Sequence, residues 1–159
     1  MKETLLTVLE NTRLADGIYR LRLAGDTSAI TAPGQFVNLK LSGFFLRRPI
    51  SVCDWENGEV TLIYKVLGHG TEAMTGMAVG TALDVLTGLG NGFDLSRSGE
   101  HPLLVGGGVG IPPLYGLARR LTAQGKRVTA VLGFNRKSEI FLAEEFRALG
   151  AEVVIATAD

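Results

Sequence analysis

Residues 103–113 read Leu-Leu-Val-Gly-Gly-Gly-Val-Gly-Ile-Pro-Pro, and few folds accommodate such a run. Pro102-Leu103-Leu104-Val105 shows no alternation of polar and apolar residues, the mark of a strand covered on both faces. Glycines at 106, 107, 108 and 110 then let the backbone turn sharply and lie close to another group. Pro112 and Pro113 suit the first turn of a helix, where a missing N–H costs nothing. Strand, tight turn and helix in this order open a parallel α/β layer. The pattern downstream agrees. Residues 114–123 read as a helix and 127–133 as a second buried strand. Residues 138–149 predict another helix, with Phe141, Leu142, Phe146 and Leu149 at helical spacing, and 152–156 a third strand.

The first hundred residues have a different rhythm. Segments 4–10, 17–23, 36–41, 50–52, 59–66 and 82–88 are strand-like, several with period-two alternation. One short helix is predicted over 72–77. Six strands at this spacing suggest a small antiparallel barrel. The expected fold is therefore a six-stranded antiparallel β-barrel over 1–98, followed by a parallel-sheet α/β nucleotide-binding domain over 99–159, with the boundary at Ser98-Gly99. Three parallel strands make only half of a doubly wound sheet. An apolar strand on an open edge is a liability, so either a longer functional protein or a partner is expected to cover it.

Composition removes several function classes. At 46% hydrophobic and 20% charged residues the chain predicts a packed core rather than disorder. Sixteen basic residues balance sixteen acidic ones, which gives no electrostatic case for nucleic acid or an anionic membrane surface. No apolar run is long enough to span a bilayer, and the N-terminus lacks a signal-peptide pattern, so a cytoplasmic location is expected. One cysteine and two distant histidines argue against a metal site, and Cys53 reads as a small buried hydrophobe.

Two stretches suggest anion binding. The helix that begins after Gly110 offers unpaired N–H groups and a positive dipole end to a phosphate. The run departs from G-x-G-x-x-G, since Pro113 takes the third glycine's place, and no acid ends the second strand. A tight turn with no ligand is the competing reading. The other stretch is Arg47-Arg48-Pro49-Ile50-Ser51. Arg48 could supply a fixed cation and Ser51 a hydroxyl. Alone, this pentapeptide reads as a surface arginine pair before an ordinary strand. Gly68-His69-Gly70-Thr71 follows, with glycines for close approach and Thr71 as a candidate helix N-cap. An arginine and a glycine-rich helix start could grip a diphosphate from two sides.

In this order, Arg47-Arg48-Pro49-Ile50-Ser51-Val52-Cys53, Gly68-His69-Gly70-Thr71 and Val105-Gly106-Gly107-Gly108-Val109-Gly110-Ile111-Pro112-Pro113-Leu114 resemble the ferredoxin reductase superfamily. Within it they resemble the electron-transfer subunits of class 1B dihydroorotate dehydrogenases, the PyrK family. The likeness covers the whole chain, and residues 139–146 fit it too. It implies FAD lined by Arg48, Pro49, Ile50 and Ser51, with Arg48 near the diphosphate and Ser51 near the flavin. It implies Ile63, Tyr64 and Lys65 at the ribityl chain and flavin edge, and Gly70 and Thr71 at the diphosphate. NAD would be received by Gly107, Gly108, Val109, Gly110, Ile111 and Pro112. Ile50 stands where many superfamily members carry an aromatic residue, so Tyr64 is expected to supply stacking.

The resemblance also implies a role. Electrons from dihydroorotate, oxidised by an FMN-containing catalytic subunit in a heterotetramer, would pass through a [2Fe–2S] centre and FAD to NAD⁺ in pyrimidine biosynthesis. The family's cysteine cluster and Cys-Gly-Pro segment have no counterpart here, so the chain is expected to be truncated. No side-chain acid or base is nominated, since the cofactor carries the chemistry. Two other readings share these motifs: a subunit of an NADH-dependent ferredoxin:NADP oxidoreductase or of a sulfide dehydrogenase, and a non-catalytic flavin- or partner-binding fragment. Arg136 and Lys137 either meet a 2′-phosphate of NADP or belong to a solvated loop.

Overall fold

Alternating side chains decide the first half. In the computed structural model, which describes residues 1–159, six strands carry them: β1 (Lys2–Ala15), β2 (Ile18–Ala24), β3 (Phe36–Leu39), β4 (Arg48–Glu56), β5 (Glu59–Lys65) and β6 (Ala82–Leu89). They close a barrel in the order β1-β2-β5-β4-β3-β6, each pair antiparallel. Leu6, Val8, Leu21, Leu23, Val37, Leu39, Val60, Leu62 and Val85 alternate with outward residues and fill the interior. Helix α1 (His69–Thr75) follows β5 and adds Met74 to the same core.

The second half is a three-stranded parallel sheet, β7 (Leu103–Gly107), β8 (Thr129–Phe134) and β9 (Glu152–Thr157) in that order. Helix α2 (Pro112–Ala123) follows β7, and α3 (Ala143–Ala148) precedes β9. Its core continues into the barrel: Ile18, Cys53 and Ile63 pack in one cluster with Ile111, Leu117 and Phe146. Complete burial of a side chain the size of Phe146 contributes about 2–3 kcal/mol. No helix is long and apolar enough to cross a membrane.

Three expectations need correction. The helix predicted over 138–149 is half that length. Residues Lys137–Glu139 form a 3₁₀ turn, and Leu142 adopts φ 63°, which breaks the helix just before α3. Phe141 and Leu142 are buried because the chain turns there, a spacing that mimics helical periodicity. Strand β4 starts at Arg48 rather than Ile50, so the Arg-Pro segment is part of the ladder. Finally, β7 is covered on one face only: Leu104 is buried under α2, while Leu103 is 63% and Val105 66% exposed.

Candidate flavin and nicotinamide sites

The barrel does not pair evenly all round. Strands β4 and β5 pair from Glu56↔Glu59 to Val52↔Leu62 and no further. Beyond that point residues 48–51 pair with β3 on their other edge, from Phe36↔Ser51 to Leu39↔Arg48. Residues 63–65 likewise pair only with β2, from Arg20↔Ile63 to Ile18↔Lys65. Two strand edges therefore face each other across an open seam with backbone N–H and C=O groups not taken up by the ladder. Such groups need partners, and a flat heterocycle with donors and acceptors along its edge can provide them. The seam brings Arg48, Pro49, Ile50 and Ser51 opposite Ile63, Tyr64 and Lys65.

Below the seam lies α1. Gly68 caps it, and Thr71 is its third residue rather than its cap. The Thr71 hydroxyl accepts from the N–H groups of Leu67 (2.9 Å) and Gly68 (3.2 Å) and donates to the Gly68 carbonyl (3.1 Å). That network holds the loop while the first-turn N–H groups stay free of intrahelical partners. The Arg48 guanidinium lies against Gly70: a Cβ there would occupy the guanidinium's own space. Arg48 also sits 5.1 Å over the Phe44 ring, donates to the Leu46 carbonyl and pairs with no carboxylate. An uncompensated cation beside free N–H groups suits a diphosphate.

Its neighbour does a different job. Arg47 makes a two-nitrogen contact with Asp84 (3.0 and 3.1 Å), reaches Glu3 at 2.9 Å, and donates to the Asn38 and Asp84 carbonyls. It staples β3 and β6 together.

Tyr64 is only 1% exposed. Its ring stacks on Tyr19 with centroids 5.6 Å apart, its hydroxyl donates to Asn11 Oδ1 at 3.0 Å, and burial pushes its pKa up to about 12. The ring points into the barrel, so the stacking surface expected of it is already used, and only its backbone reaches the seam. Ile63 is buried in the core shared with the α/β layer, and Lys65 Nζ pairs with Glu139 across the two halves at 3.4 Å.

Sequence reasoning passed over Asn11. Its amide nitrogen donates to the Met74 carbonyl at 2.7 Å and the Met77 carbonyl at 3.2 Å, fastening the C-terminal end of α1. The strand expected over 4–10 stops one residue short of Asn11, whereas β1 runs on to Ala15. Asn38 was also missed: its Oδ1 is buried without a partner, and its register neighbour Pro49 has no N–H to give.

The glycine run forms a shelf. After β7 comes a 3₁₀ turn at Gly108–Gly110, then α2. At Gly106 a Cβ would stand 2.6 Å from Leu114 Cδ1, a side-chain end that would have to turn away, and 3.3 Å from the Gly110 carbonyl oxygen. Gly108 has φ 50°, a conformation glycine adopts freely. Nothing lies within 4 Å of where side chains at Gly108 or Gly110 would stand. Gly107, Val109 and Gly110 are exposed, while Ile111 and Pro112 are buried and support the turn from beneath. The Ile111 N–H donates to the Gly108 carbonyl at 3.1 Å. The turn lies against β5, next to the seam. Arg136 and Lys137, exposed and in no ion pair, follow the neighbouring strand β8.

No family model matches the chain. Curated relatives do. The chain is 46% identical over its full length to the dihydroorotate dehydrogenase B (NAD(+)) electron transfer subunit of Bacillus pumilus (strain SAFR-032), and 45% identical over 99% of its length to that of Shouchella clausii (strain KSM-K16). It spans 64% of the length of each, just under two thirds. Among solved structures it is similar to an NADH-dependent reduced ferredoxin-NADP oxidoreductase studied for flavin-based electron bifurcation. That likeness has a TM-score of 0.86 at 29% identity, over 97% of this chain and 57% of the other.

Proposed function

We propose that the chain, similar along its whole length to dihydroorotate dehydrogenase B electron transfer subunits, is the part of such a subunit that holds FAD and receives NAD. FAD, when bound, supplies two-electron redox chemistry. The chain's own residues bind and orient. Backbone groups of residues 48–51 and 63–65 meet the flavin edge across the seam, with the Ser51 hydroxyl beside it. Arg48, Gly70 and the first turn of α1 take the diphosphate. Gly107, Gly108, Val109 and Gly110 receive the dinucleotide from the other side, over the support of Ile111 and Pro112.

In the full-length cytoplasmic protein, electrons from dihydroorotate oxidation would arrive from an FMN-containing catalytic partner in a heterotetramer. They would come by way of a [2Fe–2S] centre held on the length this chain does not span. NAD⁺ leaves as NADH.

The observation that carries this reading is the contact of Arg48 with Gly70 at the foot of the unpaired seam, a cradle that a side chain at residue 70 would fill. The test is a visible spectrum of the full-length subunit. Flavin bands with an iron–sulfur contribution are expected, and flavin bands alone from residues 1–159. A full-length protein purified without flavin would overturn the reading. The likeness to the NADH-dependent ferredoxin-NADP oxidoreductase supports a second reading, in which the partner is a ferredoxin-linked subunit. Reduction of the bound flavin by dihydroorotate with the catalytic subunit present favours the first; reduction by ferredoxin alone favours the second.

A further inference from the structure

Strand β4 serves the seam with residues 48–51 and meets the α/β layer immediately afterwards. At Cys53 its backbone carbonyl faces Gly116, where a Cβ would stand 2.7 Å from the oxygen, too close for any rotamer change to relieve. At Asp54 the carboxylate accepts from Arg119 Nη2 at 3.0 Å and from Arg120 Nη1 at 3.3 Å. At Trp55 the ring lies 3.6 Å beneath the Arg120 guanidinium. Three consecutive strand residues thus grip Gly116, Arg119 and Arg120, which share one face of α2 by their i, i+3, i+4 spacing.

The covalent paths from this grip to both sites are short. Ser51 lies two residues back along β4, and the first residue of α2, next to the glycine turn, lies four residues back from Gly116. Strand and helix are stiff over such distances, so their separation here sets the separation of the sites.

We propose that Gly116 and Asp54 are positioning residues that fix the distance between flavin and nicotinamide. The proposal takes its chemistry from the function proposed above, in which a hydride passes from FADH₂ to NAD⁺ to give FAD, NADH and a proton. A misplacement of about 1 Å in such a transfer costs about 100-fold in rate. A methyl group at position 116 must push the helix off the strand, because the atom it meets is backbone. Neither residue belongs to the seam or the glycine shelf, so affinity for either nucleotide is not their task.

Cys53 offers a readout that needs no cofactor. It is the only cysteine in the 159 residues, is buried in the cluster beneath α2, and its thiol is pushed up in pKa by that burial. In residues 1–159, well below the melting midpoint, Gly116→Ala is expected to raise the rate of Cys53 labelling by a disulfide reagent at least about 10-fold, as the gap opens. In the full-length FAD-loaded subunit the same variant is expected to lose flavin–nicotinamide charge-transfer absorbance. Its hydride transfer should slow about 100-fold, with FAD content and the KM for NADH unchanged. Asp54→Asn adds no volume and should shift both readouts in the same direction, which decides the matter if Gly116→Ala does not fold. Faster labelling with wild-type transfer, or wild-type labelling in either folded variant, overturns the proposal. Wild-type protein without flavin overturns the function instead, and leaves the labelling arm to judge the grip on its own.

Discussion

The two proposed anion sites differ in what they bring to a phosphate. At the foot of the barrel a guanidinium is already in place, pressed on Gly70 and held by Phe44 and the Leu46 carbonyl, with no carboxylate to neutralise it. At the glycine turn there is bare backbone, an open shelf over Gly108 and Gly110, and two exposed basic residues at the end of the next strand. A preplaced cation costs little ordering on binding and favours retention, whereas a shelf of N–H groups favours entry and exit. The difference suits the proposed pairing of one resident cofactor with one exchanging substrate, and it teaches that glycine content alone does not rank two candidate sites.

Arg48→Ala should break that comparison most. Loss of a charge-assisted grip is expected to weaken FAD binding about 100-fold, read as flavin fluorescence released on dilution, while NADH affinity stays. Arg48→Lys should recover only part of it, since a point charge does not reproduce the flat fork. Gly108→Val should act on the other side alone. A β-branched residue at φ 50° on an otherwise empty shelf is expected to raise the KM for NADH about 10-fold with FAD content unchanged.

A smaller effect sharpens the contrast from a distance. Asn11→Ala removes the tie on the far end of α1, and is expected to cost about 1 kcal/mol in urea unfolding and a few-fold in FAD affinity, with no change for NADH. The smallest expected change concerns neither site. Burial would raise the Glu10 pKa, but hydrogen bonds from Thr12, Arg20 and Arg22 outweigh it and hold the carboxyl below its ordinary value. A carboxyl depressed in the folded state stabilises above its unfolded pKa, and that stabilisation fades as pH falls through the folded one. Glu10→Gln should therefore cost about 0.5 kcal/mol at pH 7 and nothing in strong acid, followed by thermal melts across pH, with both nucleotide affinities untouched.

Much of this architecture is written locally. Alternation at Leu21 and Leu23 or Val37 and Leu39 declares a barrel wall, and Gly106 to Pro113 declares strand, turn and helix. What the chain does not declare is direction and distance. Tyr64 sits at a strand position open to either reading, and only the ring of Tyr19 and the amide of Asn11, 53 residues away, turn it inward. The contact of Arg48 with Gly70, and of Cys53 with Gly116, likewise arise from closure of the fold. Phe141 and Leu142 misled because a left-handed residue buries both side chains at a spacing a helix would also produce.

Two adjacent arginines with separate duties make the ladder intolerant of slippage. If β4 moved one residue against β3, one direction of slip would bring Arg47 to Gly70 and carry Arg48 past it, and the other would bring Arg48 to Asp84 and carry Arg47 past the β3–β6 staple. Every side chain of the strand would also change faces. Natural variation in length should therefore collect in the hairpin ahead of Arg47, where insertions leave the pair in step, and should be absent between Arg47 and Ser51. A single inserted alanine after Arg47 is a more severe lesion than several inserted before Phe44, because it misfiles a cation rather than lengthening a loop.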